Sequence, residues 1–348
     1  MKVKNTKYNL FFLVLIVFTI SSCDIDPPIK EELPADNIIF VVPQGWPQPH
    51  YDFSTNPLTK EGFILGRKLF YDTKLSRDNT ISCGSCHQQF AAFSHLDHKT
   101  SHGIYGLFGT RNAPPLYNLN WQTNFMWDGG VNHIEVQPLA PITNPVEMDE
   151  NMNNIVAKLQ GDANYRAMFK EAFGTETVNT QLIFKAITQF QGMLVSYNSK
   201  YDKYSRGETT LTTNEMNGLN VFQQKCNACH TAPLFTNFDY VNNGLDNVFA
   251  DEGRAKITLL PSDSGTFKVP SLRNVQLSRP YMHDGRFETL EQVLDHYSGG
   301  IKNSNTLSPL LNSGIPLTSQ EKKDIIAFLK TLTDNTFKND KRFADPFQ

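Results

Sequence analysis

Two pentapeptides hold the residues best suited to chemistry: Cys83-Gly84-Ser85-Cys86-His87 and Cys226-Asn227-Ala228-Cys229-His230. In the C-x-x-C-H pattern the two thiols bond covalently to the vinyl groups of a haem. The adjacent imidazole then binds iron from the proximal side. Two other chemistries use some of the same residues. A zinc ribbon spaces its cysteine pairs a dozen or two residues apart, whereas this gap is well over a hundred. A redox dithiol needs neither histidine. Two covalently bound haem c groups account for all six residues.

The elements that must position these motifs read as helices. Thr59 is placed to cap a helix running to about Tyr71, and Thr212 with Glu215 forms a T-x-x-E box opening a helix towards Cys226. Between them, Thr180 is expected to cap a helix through Leu194, with Leu182, Ile183, Ala186, Ile187, Phe190 and Leu194 on one face. Thr318-Ser319-Gln320-Glu321 is a further box, and its helix puts Ile325, Leu329 and Leu332 on one face. Strand-like alternation is scarce. The expected fold is mainly α, two cytochrome c-like haem domains with long loops, covering residues 51–205 and 206–348.

Composition is that of a soluble globular chain, 39% hydrophobic and 19% charged, and a net charge of −3 over 348 residues offers nothing to nucleic acid. The first 22 residues read as an export signal. Lys2, Lys4 and Lys7 precede an apolar run, Leu10 to Ile20, that is too short for a stable membrane span. Ile20-Ser21-Ser22-Cys23 has the form of a bacterial lipobox, and the motifs use four of the five cysteines, leaving Cys23 alone at the cleavage point. Acylated Cys23 would tether the protein to a membrane surface without a spanning helix. Residues 23–50 carry Pro27, Pro28, Pro34, Pro43, Pro47 and Pro49 and read as an extended tether. The expected location is periplasmic or in the cell envelope.

Further motifs occur in order. After the first haem motif come Phe93-Ser94, Ser101-His102-Gly103, Gly109-Thr110-Arg111-Asn112-Ala113-Pro114, Trp127-Asp128-Gly129-Gly130, Glu135-Val136-Gln137 and Pro145-Val146-Glu147-Met148. After the second come Leu272-Arg273-Asn274-Val275 and Pro280-Tyr281-Met282-His283-Asp284-Gly285. Over roughly residues 51–335 the chain resembles the bacterial di-haem cytochrome c peroxidases, a superfamily shared with the di-haem enzyme that matures methylamine dehydrogenase. The resemblance implies a peroxidatic haem on Cys83, Cys86 and His87. It implies an electron-accepting haem on Cys226, Cys229 and His230, supplied by a small cytochrome c or copper protein. Two electrons must reach one hydrogen peroxide while small donors deliver them singly, so the second haem stores an equivalent. By matching position, Trp127 is the aromatic bridge between the haems, Glu147 the distal proton shuttle, and Gln137 a distal-pocket amide. Asn112 and the carbonyls of Ser278 and Pro280 match the ligands of a calcium ion. Family members often dimerise, so a homodimer is an expectation from resemblance alone.

Two positions depart from the family. Where some members place a histidine that blocks the peroxidatic iron, directly after S-x-G, this chain has Ile104; His102 is the nearest substitute, with His95 and His98 as further candidates. Where peroxidase members supply a distal methionine to the second haem, this chain has Tyr297, as the methylamine-dehydrogenase-maturing enzyme also does; Met282 is the alternative ligand. A thioether raises the potential of haem iron, and phenolate oxygen lowers it. The expected activity is therefore a di-haem peroxidase. The alternatives are a peroxide-driven oxidase of a protein or small molecule and a non-catalytic electron carrier.

Overall fold

Thr59 accepts a hydrogen bond from the Gly62 amide and opens the helix Lys60–Tyr71 in the computed structural model, which describes residues 1–3 and 38–348. Cys23, most of the export signal and the first part of the tether lie outside the described residues. Thr212 with Glu215 opens Thr213–Lys225, and Thr318 with Glu321 opens Ser319–Lys330, both through reciprocal capping boxes. The third cap differs from expectation. Asn179, not Thr180, accepts from the Leu182 amide, and the helix Thr180–Gly192 stops short of Leu194. Asparagine ranks among the best N-caps, and its extended backbone leaves Thr180 as the first helical residue. The only strands among the described residues are Tyr240–Val241 and Phe267–Lys268, paired antiparallel.

Two helix pairs are each brought close by a glycine. Lys60–Tyr71 packs on Thr180–Gly192, where a Cβ on Gly66 would lie 1.9 Å from the Ala186 carbonyl oxygen. Thr213–Lys225 packs on Ser319–Lys330, where a Cβ on Gly218 would lie 1.9 Å from the Asp324 carbonyl oxygen. No side chain fits at either crossing, so glycine sets the interhelical distance. Within the compact unit Pro34–Gln348, one buried cluster gathers Leu65, Leu69, Ile155, Phe169, Ile183 and Ile187, and another gathers Leu219, Phe222, Phe235, Ile325, Phe328 and Leu332. Two segments make long-range contacts. In the proline-rich stretch Ile38 is buried, and Trp46 sits edge-on to Trp121, whose Nε1 donates to the Pro47 carbonyl at 2.8 Å. The C-terminal residues return to the first half, with Phe343 beside Phe63, Phe93 and Phe190 and its carbonyl accepting from the Tyr71 hydroxyl. None of the described helices is long and apolar enough to cross a membrane.

One buried ion pair joins Asp202 to Arg273. Arg273 donates to both carboxylate oxygens of Asp202, at 2.9 and 2.7 Å, and its guanidinium lies over the Trp46 ring at 4.6 Å. Burial alone would raise the Asp202 carboxyl; Arg273 overrides it and holds the group below the ordinary carboxylate range. Asp202→Asn leaves a buried guanidinium uncompensated and is expected to cost about 3–5 kcal/mol of stability, read from urea unfolding. The loss is full above the ordinary carboxylate pKa. It shrinks as pH falls through the depressed value, because the wild type then loses the same charge.

Candidate active site

Ser82 and Ser85 cap each other and turn Cys83–Cys86 into a single helical turn that puts both sulfurs beside His87. The second motif follows directly on Thr213–Lys225, with His230 N donating to the Cys226 carbonyl. All four thiols are free and partly buried. Burial pushes Cys83 and Cys226 up to about 12 and Cys86 to about 11, so they stand as neutral thiols.

Both histidines are oriented in the same way. His87 Nδ1 lies 3.2 Å from the Phe93 carbonyl oxygen, and His230 Nδ1 lies 3.1 Å from that of Phe235. A carbonyl accepts only, so Nδ1 carries the proton and Nε2 keeps its lone pair for a metal. Burial holds both imidazoles near 4, neutral and fit to ligate at physiological pH. Phe93 and Phe235 reach this position with left-handed backbones, φ 60° and 54°. Bulky residues rarely adopt that conformation, and here it aims a carbonyl at each histidine. Free thiols and two pre-oriented imidazoles fit covalent haem at both motifs.

Glu147 sits against the first motif. Its Oε1 accepts from Ser101 Oγ at 2.8 Å, and its carbonyl accepts from Ile104 N at 2.8 Å. Gly103 is required at this contact, since a Cβ there would lie 2.1 Å from the Glu147 carbonyl oxygen. Burial raises the carboxyl above its usual range, against hydrogen bonds from Ser101 and Asn144. Cys86 Sγ lies 3.4 Å from the carbonyl oxygen of His102, the residue before Gly103, so the same short segment touches both Cys86 and Glu147. Gln137 is buried, and its Oε1 accepts from Gln191 Nε2 at 3.3 Å. The His102 ring lies in a trio with His95 and His98.

Trp127 is held at both of its polar ends, by its side chain to Asn112 and by its backbone to Lys268. Its Nε1 donates to the Asn112 carbonyl at 2.8 Å, and its own carbonyl accepts from Lys268 N at 2.8 Å. Asn112 Nδ2 donates to the carbonyls of His98 and Lys99, which leaves Oδ1 as the side-chain atom available to a cation. The Arg279 carbonyl, between Ser278 and Pro280, accepts from Asp97 N on the same loop at 3.0 Å. Oxygen donors of this kind suit calcium.

On the other side, Tyr297 lies in a π-helical turn, His296–Gly300, a local insertion common at functional sites. Asn243 Nδ2 donates to Tyr297 Oη at 3.4 Å and to Met282 Sδ at 3.5 Å, so both candidate ligands meet at one amide. Burial raises the Tyr297 phenol, against the hydrogen bond from Asn243. Sequence reasoning gave no role to Ser101, Asn243, Gln191 or the two phenylalanine carbonyls. Only the phenylalanines carried a signal, each standing five or six residues beyond its histidine.

Residues 60–210 match the family model described as di-haem cytochrome c peroxidase. The chain is 35% identical over 311 residues to a methylamine utilization protein, MauG, of Methylorubrum extorquens, covering 87% of this chain and 86% of that protein. It is 35% identical over 279 residues to a cytochrome c551 peroxidase of Nitrosomonas europaea, covering 77% and 79%. Among solved structures, a MauG-like protein associated with microbial copper homeostasis superposes with a TM-score of 0.83 at 35% identity, over 90% of this chain and all of that one. At 35% identity over more than four fifths of each protein, the chain belongs with MauG to the di-haem cytochrome c peroxidase family, whose model its residues 60–210 match.

Proposed function

We propose that this protein reduces hydrogen peroxide to water with electrons from a small cytochrome c or copper protein. The observation that carries this reading is a buried carboxyl, Glu147, hydrogen-bonded to Ser101 on the segment 101–103 that also meets Cys86. A pure electron carrier has no use for a proton-handling group there. Cys83, Cys86 and His87 would hold the peroxidatic haem, and Cys226, Cys229 and His230 the haem that receives electrons, in halves spanning 51–205 and 206–348. When bound, the haems supply the electrons and the iron at which peroxide is reduced. Glu147 takes a proton from one peroxide oxygen and returns it to the other, the work of a positioned general acid and base. Gln137 and Gln191 supply amide groups nearby. Asn112 Oδ1 with the Ser278 and Pro280 carbonyls would hold calcium.

Trp127 bridges the two haem sites in this reading. Trp127→Phe loses the bond to Asn112, worth about 1 kcal/mol. It is expected to slow sustained turnover without loss of either haem, measured by stopped-flow oxidation of a reduced donor. Lys2, Lys4, Lys7 and the lipobox at Cys23 support export to the periplasmic side and membrane anchoring.

Tyr297 favours a second reading, a peroxide-driven oxidase of a protein or small molecule, because phenolate oxygen would lower the potential of the electron-accepting haem. Peroxide-dependent oxidation of a reduced small cytochrome c by the haem-loaded, calcium-replete protein separates the two. Sustained turnover of about 1 per second or faster supports the peroxidase. Oxidation of the haems without sustained donor turnover supports the oxidase.

A further inference from the structure

We propose that His95, His98 and His102 form a mononuclear site for a divalent ion of the zinc and copper class, beside the first C-x-x-C-H motif and using none of its residues. Each offers one ring nitrogen, and these atoms all lie within 4.8 Å of one another. The ring centroids are 4.0 Å apart for His95 and His98, 4.6 Å for His98 and His102, and 5.0 Å for His95 and His102. A tetrahedral ion with metal–nitrogen bonds of about 2.0–2.1 Å separates its ligand nitrogens by about 3.3 Å. Ring movement of roughly an ångström therefore closes the trio on an ion.

His95 is the observation that asks for a ligand. It is 1% exposed, and neither of its ring nitrogens has a hydrogen-bond partner. An imidazole must pair a donor and an acceptor to be buried without penalty, and a metal ion satisfies one of these positions directly. His98 Nδ1 lies 2.9 Å from the Leu96 carbonyl oxygen, which assigns its proton and frees Nε2, the arrangement that orients metal-binding histidines.

The donor set chooses the ion. Three imidazoles suit zinc or copper rather than calcium or magnesium. The one acid inside the loop, Asp97, is turned out to Arg279 in an ion pair at 2.8 Å. Three protein ligands leave a fourth position open. His102 belongs to this site and not to the peroxide pocket for a geometric reason. It pairs in an isolated antiparallel bridge with Phe108, and successive side chains on extended backbone face opposite ways. Ser101 accordingly faces Glu147, while His102 faces His95 and His98.

The test uses the haem-loaded protein purified without a polyhistidine tag, equilibrated separately with ZnCl2 and CuCl2 and desalted. Plasma emission spectroscopy then counts metals against the two haem irons. One further equivalent of zinc or copper per chain is expected. His98→Ala and His102→Ala should each weaken binding by about a hundredfold or more, with haem and calcium contents unchanged. His98→Gln, at a partly exposed position, serves if alanine variants fold poorly. Absence of a third equivalent with either metal overturns the proposal, as does equal binding by the variants. A change in ferric haem spin state in His102→Ala, without loss of a zinc or copper equivalent, would assign the histidine to iron and also overturn it.

Discussion

Replacing Glu147 with glutamine is expected to lower peroxide turnover by about 10²–10⁴-fold, the usual contribution of a positioned general acid and base, while both haems remain bound. Glutamine keeps the shape and can still accept from Ser101, so the loss reports proton transfer rather than packing. Burial places the Glu147 pKa above the ordinary carboxylate range. Wild-type turnover should therefore fall as pH drops through that raised value, and this acid limb should vanish in Glu147→Gln. The stability sign runs the opposite way. A carboxyl with a raised folded-state pKa contributes stability below its unfolded pKa and loses it as pH rises through the folded one. At neutral pH the buried charge is thus a cost, and Glu147→Gln should melt no lower than wild type. A variant that keeps wild-type turnover, or loses turnover only by unfolding, removes Glu147 from the chemistry.

Tyr297→Met is expected to raise the reduction potential of the second haem, within the roughly 0.8 V span over which axial ligands tune haem iron. The buried Tyr297 phenol is held above its ordinary pKa, so a phenolate there needs a compensating cation, which iron on His230 would supply. A thioether needs none and favours the reduced metal. Spectroelectrochemical titration of both haems would show one wave moving upward and the other unchanged. Turnover with a cytochrome donor should rise with it, since electron entry becomes easier. Because Asn243 also donates to Met282, Met282→Leu is the necessary partner experiment. If Met282→Leu moves the wave and Tyr297→Met does not, Met282 is the ligand and the case for an oxidase weakens.

Much of the positioning apparatus was legible before any coordinates. The caps at Thr59, Thr212 and Thr318 depend on residues three apart, and a side chain reaching its own first helical turn is a local event. Thr180 misled for the same kind of reason: Asn179, one residue earlier, offers the better acceptor to the same turn, and nothing beyond the local chain decides between them. The proline-rich stretch read as a tether because proline density disfavours helix. Trp46 and Trp121, 75 positions apart, found each other anyway, and a ring contact of that separation leaves no trace in composition.

The site divides along the same line. The sequence by itself determined the covalent chemistry: in each C-x-x-C-H the thiols and imidazole lie within about one helical turn, so their juxtaposition is nearly guaranteed by chain geometry. It also carried Glu147, Trp127 and Tyr297, through ordered motifs that match a family. Only the tertiary structure decided what those side chains touch. Ser101 meets Glu147 across 46 residues, Asn243 meets Tyr297 across 54, and Asp202 meets Arg273 across 71. It also brought His102 together with His95 and His98. Such pairings are set by where packed helices and glycine crossings bring distant loops, and by which buried polar groups still need a partner once the core has closed. Both are properties of the whole packed chain, not of any short stretch of it.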